Sequence, residues 1–133
     1  ADLKYDDYWK VNVPFLGKAI VNGVAVSHYF VSGIMGKPVG GKNAAASILQ
    51  ANMMSSICGH SHLYDYKEGT RVDGQKMFAL VGGCYVHPKM VSDWNAATAS
   101  LWDNSVTVIT NLRDGYHEGI EKIPQSLLMK EYL

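Results

Sequence analysis

A mixed α/β fold, rich in strands and carrying one or two helices, is what this 133-residue sequence predicts, on three observations. Two dipeptides, Asn22-Gly23 and Asp73-Gly74, separate β-branched or apolar runs, and such pairs supply the positive φ angles of a tight hairpin turn. One stretch, NAAASILQANMM (43–54), combines alanine, the best helix former, with a spaced apolar face. Several further short β-branched runs end at glycine or histidine, the pattern of strands giving way to loops. No repeat, low-complexity tract or charge block divides the chain, so 1–133 reads as a single domain.

In order along the chain, strands are expected over 17–21 and 24–29, on either side of Asn22-Gly23. SGIMGKPVGGKN (32–43), with its glycines and Pro38, is loop. The helix over 43–54 follows, capped by Asn43 and burying Ile48 and Leu49. SSIC (55–58) is a short strand running into Gly59-His60-Ser61-His62, with Tyr64 and Asp65 beyond it as loop surface. TRV (70–72) and KMFALVGG (76–83) flank the second hairpin signal. VSDWNAATASLW (91–102) fits either helix or irregular loop. SVTVITNL (105–112) alternates as a strand does, and RDG turns it toward YHEGIEKI (116–123). Pro124 opens a final helix over 124–133.

Composition narrows the function classes. Apolar residues make up 47% and charged residues 18%, ordinary for a folded domain. Twelve basic side chains balance twelve acidic ones, which disfavours a nucleic-acid binder held mainly by phosphate contacts. No apolar run approaches the roughly 20 residues that cross a bilayer. ADLKYDDYWK at the start has neither the basic region nor the apolar run of a secretion signal. Cys58 and Cys84 are too few for a disulfide framework and read as reduced, buried thiols. A cytoplasmic location is the expectation. Tyr5, Tyr8 and Trp9, with the aromatics of WNAATASLW, are more simply core-completing residues than base-stacking ones.

Three of the five histidines fall at predicted strand ends: His28 after VAVS, and His60 and His62 after SSICG. Gly59 lets the backbone turn there without a side-chain clash. Imidazole is the commonest nitrogen ligand for first-row divalent metals. Strand ends sharing one sheet edge gather residues distant in sequence, so His28, His60 and His62 form a candidate metal site. A bare His-x-His carries little alone; the preceding glycine, strand and helix, and the second strand-end histidine, carry the reading. His87, beside Pro88, is read as structural or as a support to the ligands, and His117, beside a turn, as solvated.

In order, VAVSHYFVSG, NAAASILQANMM, SSICGHSH and KMFALVGGCYV resemble the C-terminal half of the calcineurin-like metallophosphoesterases, over roughly residues 17–112. In that family a strand ends in a metal-binding His, a loop and helix follow, and a buried strand leads into Gly-His-x-His. The usual third residue of that motif is Thr; Ser61 keeps the hydroxyl. The resemblance implies an α+β-like C-terminal half of a four-layer sandwich, two sheets with helices outside. It implies that His28 and His60 bind one divalent ion (Mn, Fe, Zn or Ni) and His62 a second. Gly59, Ser61 and His87 would then support the ligands. The implied activity is hydrolysis of a phosphomonoester or phosphodiester by a two-metal-activated hydroxide.

The family's other motifs, Asp-x-His, Gly-Asp with a following Asp, and Gly-Asn-His-Asp/Glu, do not occur in this sequence. They supply the carboxylate that bridges the metals, an Asn ligand, and the His that assists the leaving group. Without the bridge, neutral imidazoles cannot offset the repulsion of two dications, so one ion or none is expected in the chain alone. LKYDDYWKVNVP reads as the tail of a connecting segment, so the chain is expected to be a fragment, inactive alone, that associates with its missing N-terminal half or with a second copy. The competing expectation is a non-catalytic, β-rich interaction module whose histidines pack or hold metal adventitiously. Phosphoester substrates are the expected ligands; nucleic acid is not favoured and no membrane association is expected.

Overall fold

A computed structural model describes residues 17–132, so the aromatic residues Tyr5, Tyr8 and Trp9 lie outside the described residues. The fold is mixed, mostly strands with three α-helices, in two sheets. The larger sheet has the order β1-β2-β3-β5-β4, with β1 (Ala19–Val21), β2 (Val24–Val26), β3 (Ser56–Cys58), β4 (Asp65–Thr70) and β5 (Lys76–Val81). Strands β2, β3 and β5 run parallel, while β1 and β4 lie antiparallel along the two edges. Helix α1 (Ala44–Asn52) makes the crossover from β2 to β3. A separate hairpin pairs β6 (Ser105–Thr110) with β7 (Gly119–Pro124). Two short helices complete the order: α2 (Ala96–Ala99) and α3 (Gln125–Tyr132).

Strand β5 explains the layering. Successive side chains of a strand face opposite ways, and Met77 through Val81 are all buried. Met77, Ala79 and Val81 join Ala44, Ala45, Ile48 and Leu49 of α1 in one apolar cluster. Phe78 and Leu80 join Val24 in a second cluster, against which Ile109, Leu112 and Ile120 of the hairpin region pack. The sheet is thus covered by a helix on one face and by the hairpin on the other, which is why Met77–Val81 reads as a continuous apolar run. Burying a side chain such as Phe78 or Ile48 contributes about 1.5–3 kcal/mol. At nine residues, α1 is too short to be stable alone and depends on this packing.

Several expectations are corrected by this geometry. Asn43 makes no side-chain capping hydrogen bond; instead the Ala45 N–H donates to Asp65 Oδ2 at 2.8 Å. An acid from a neighbouring strand therefore satisfies an orphan donor at the helix N-terminus, where negative charge is also favoured by the dipole. Asp65 is accordingly no loop residue: it opens β4, and both it and Tyr64 are half-buried. Strand β2 stops at Val26, not residue 29, and Pro124 closes β7 rather than opening the last helix. The stretch 91–102 contains a 3-10 turn, Asp93–Asn95, followed by α2. Cys58 is buried, while Cys84 is half-buried; both are free thiols.

The Gly-containing turns divide by backbone geometry. Asn22 (φ 48°) and Gly23 (φ 80°) are both left-handed, the mirror-image turn that matches strand twist. Asp114 (φ 51°) and Gly115 (φ 76°) do the same between Arg113 and Tyr116, which pair with each other. These two turns lie against one another: the Gly115 N–H donates to Asn22 O at 2.9 Å, and a Cβ on Gly23 would fall 2.7 Å from Gly115 N. At Asp73-Gly74 only Gly74 is left-handed (φ 86°), and Arg71 pairs with Gln75 through a longer loop. Among the described residues no helix is long and apolar enough to cross a membrane.

Candidate functional site

Parallel strands put their C-terminal ends on one edge of a sheet, and in open α/β sheets that edge is where ligands bind. Here it receives the residues following β2, β3 and β5 and, because β4 is antiparallel with Asp65 opposite Val81, the start of β4. The β2–β3 ladder continues past its named ends. Ser27 N–H donates to Ile57 O at 3.1 Å and Gly59 N–H to His28 O at 3.1 Å. That last rung fixes the backbones of His28 and His60 beside each other.

The side chains meet. His60 Nδ1 lies 3.0 Å from His28 Nε2, with ring centroids 5.0 Å apart and planes at 82°. His60 reaches this position through unusual backbone geometry. Its φ is 73°, and the Ser61 N–H donates to Gly59 O at 3.0 Å, which together describe a γ-turn of the rare, strained, positive-φ kind. His62 is also left-handed, with φ 61°. Such conformations in residues other than glycine cost of order 1–3 kcal/mol and cluster where function demands them.

His62 is held apart from the pair's contact by a different set of partners. Its ring stands edge-on to Trp102 with centroids 4.5 Å apart, and its carbonyl accepts the Asp103 N–H at 2.8 Å. Asp103 is fixed in turn by Lys122 Nζ at 2.8 Å and by the Ser105 hydroxyl. Burial opposes its charge, but Lys122 and Ser105 outweigh that and hold its carboxyl below the usual range. Lys122 also lies over the Tyr64 ring at 4.5 Å. A side chain on Gly83 would collide with the Asp103 carbonyl, so the glycine after β5 is what lets this loop approach. Between the two histidines, Ser61 Oγ is buried without a hydrogen-bond partner.

The electrostatic setting is uneven. No acidic residue occurs between Asp7 and Asp65, the segment that includes β1, β2, α1, β3 and both members of the histidine pair. Two acids that follow in the chain are already engaged: Asp65 accepts from the Ala45 and Tyr66 backbone N–H groups, and Asp103 from Lys122. Among the described residues, Lys37 and Lys42 are exposed and form no ion pair. The stretch of chain that carries His28 and His60 therefore bears basic side chains and no acidic ones.

A metal ion sits about 2.0–2.1 Å from an imidazole nitrogen, so nitrogens facing each other at 3.0 Å fit two ligands of one ion. Without an ion, the pair shares one proton, donated by whichever ring carries it. No group of three or more His, Cys, Asp or Glu side chains placed to hold a metal occurs among the described residues. His87 is exposed, and its Nδ1 accepts the Lys89 N–H at 3.1 Å, serving its own turn.

His117, expected in solvent, is instead enclosed by Phe78 and Tyr116, each with centroids 4.7 Å away, on the hairpin face of the sheet. Sequence reasoning missed Tyr29, whose ring lies 5.4 Å from that of His60, and the Trp102-Asp103 pair. Tyr29 carried a signal in adjoining His28; Trp102 and Asp103, forty residues downstream of His62, carried none. The chain matches no family model, no curated protein and no solved structure.

Proposed function

We propose that this chain is the metal-binding C-terminal half of a calcineurin-like phosphoesterase, a β-rich portion of a four-layer sandwich that hydrolyses phosphomonoesters or phosphodiesters once completed. The observation that carries this reading is the His28–His60 contact at the shared end of two parallel strands, 3.0 Å between facing ring nitrogens. Divalent ions supply Lewis acidity toward phosphoryl oxygens and acidify water. His28 and His60 hold one ion as neutral imidazoles, and His62 serves a second. Gly59 and Ser61 shape the turn that presents them. Lys37 and Lys42 attract the substrate anion, and Tyr29 walls the approach to His60. The chain lacks the carboxylate that bridges two ions, so a partner bearing the missing motifs completes the centre. The proposed location is the cytoplasm.

One observation favours the competing reading, a non-catalytic interaction module: the His62 ring packs on Trp102 instead of joining the other two. Equilibrium dialysis against Mn separates the two readings. The expected result is at most one ion per chain near neutral pH, lost in His28→Ala and in His60→Ala. Equal uptake by wild type and both variants would remove the histidines as ligands and with them the phosphoesterase reading.

A further inference from the structure

The β6–β7 hairpin is fastened to the sheet at two ends, and one fastening is built around a half-buried histidine. The turn before β7 carries Tyr116 and His117 onto β4 and β5. Tyr66 and Tyr116 hydroxyls both donate to Glu68 Oε1 at 2.6 Å, and the Tyr66 oxygen lies 2.7 Å from His117 Nε2. Tyr66 has one hydroxyl proton. Given to Glu68, it leaves the phenol oxygen to accept the His117 Nε2–H. The remaining ring nitrogen, Nδ1, then carries a bare lone pair, buried and without a partner. Tyr116 stacks on the ring and Phe78 meets it at a right angle. A further proton would have to enter on Nδ1, where nothing is placed to accept its hydrogen bond.

We propose that His117 is an acid-sensitive latch, locking the β6–β7 hairpin on the sheet while neutral and releasing it when protonated. The groups facing it are Tyr66 and Glu68 from β4, Phe78 from β5 and Tyr116 from its own turn. Glu68 is the one charge that favours protonation, and Lys76 lies near Glu68 and helps keep it ionised. Burial outweighs Glu68 and holds His117 below the ordinary histidine value. The sign follows: the unfolded or released chain binds the proton more readily, so the latch is complete above about pH 6.5 and weakens as pH falls toward the lower native value.

Release has a consequence at the other fastening. The loop entering β6 carries Trp102 and Asp103, which hold the ring and carbonyl of His62. Acidification would free His62 together with the hairpin. The latch stands independently of the phosphoesterase reading; only its effect on metal binding rests on that reading.

The experiment is a pH titration of the full chain by NMR, following the His117 ring resonances and amide exchange across 105–123. His117 is expected to titrate below an unfolded histidine, with hairpin protection falling about tenfold for each pH unit between the two values. Amides of α1 and β5 keep their protection over that range. In His117→Phe, which keeps a ring between Phe78 and Tyr116, the hairpin's pH dependence disappears. In Glu68→Gln, His117 titrates lower still. A wild-type His117 titrating at or above the unfolded value overturns the latch even if the Phe variant does not fold, as does unchanged pH dependence in that variant. Metal uptake by His28 and His60, measured separately, tests the phosphoesterase reading and leaves this result untouched.

Discussion

His60 and His117 each sit 3.0 Å or less from one hydrogen-bonding partner, yet they occupy opposite physical regimes. His60 is exposed, strained in its backbone and paired with another imidazole at the rim of the sheet. His117 is half-buried, with its second nitrogen sealed, Tyr116 stacked on its ring and Phe78 at a right angle to it. The first arrangement spends conformational energy to present nitrogens outward; the second uses the ring as a packing element whose charge is suppressed. A histidine's role is set by where its second nitrogen points and by what its backbone endures, and neither is visible in the residue name.

Three substitutions sharpen that contrast. Phe78→Ala removes the ring under His117 and Tyr66 and should destabilise the protein by about 3–5 kcal/mol, the usual cost of deleting a buried aromatic. Chemical denaturation checks the loss, and His28 and His60 resonances should stay near their wild-type positions in the folded fraction. Asp65→Ala leaves the Ala45 N–H without its acceptor and should cost about 0.5–2 kcal/mol, measured the same way. Increased amide exchange confined to the first turn of α1 would localise it. His60→Gly relieves a left-handed side chain and should raise stability by up to about 1 kcal/mol while reducing metal uptake. Stability and binding moving together would show that the γ-turn at His60 is not strained in the service of ligand presentation.

Much of the fold was legible because local chemistry and burial agree. Asn22-Gly23 announced its turn, Ala44–Asn52 its helix, and the apolar run Met77–Val81 its place in the sheet centre. Asp73-Gly74 and Asp114-Gly115 show the limit: the same dipeptide closes a longer loop in one place and a two-residue turn in the other. Strand register decides between them, and register is a tertiary property. Of the site, the meeting of His28 and His60 was readable from strand ends and a glycine. The Trp102 contact to His62, the Asp65 cap on α1 and the enclosure of His117 all join segments more than fifteen residues apart with no shared pattern. Net charge is a coarse measure, since a neutral total is compatible with a long acid-free stretch between Asp7 and Asp65.

Strand β5 lies between β3 and β4 in space but is the last of the five to be made. A ribosome delivers it some twenty residues after β3, about one to four seconds later at common elongation rates of about 5–20 residues per second. Throughout that interval the flank of β3 is an open template for any passing strand. Five exposed charged side chains, Lys67, Glu68, Arg71, Asp73 and Lys76, lead in this late-arriving β-hairpin to the apolar run Met77–Val81 that fills the gap.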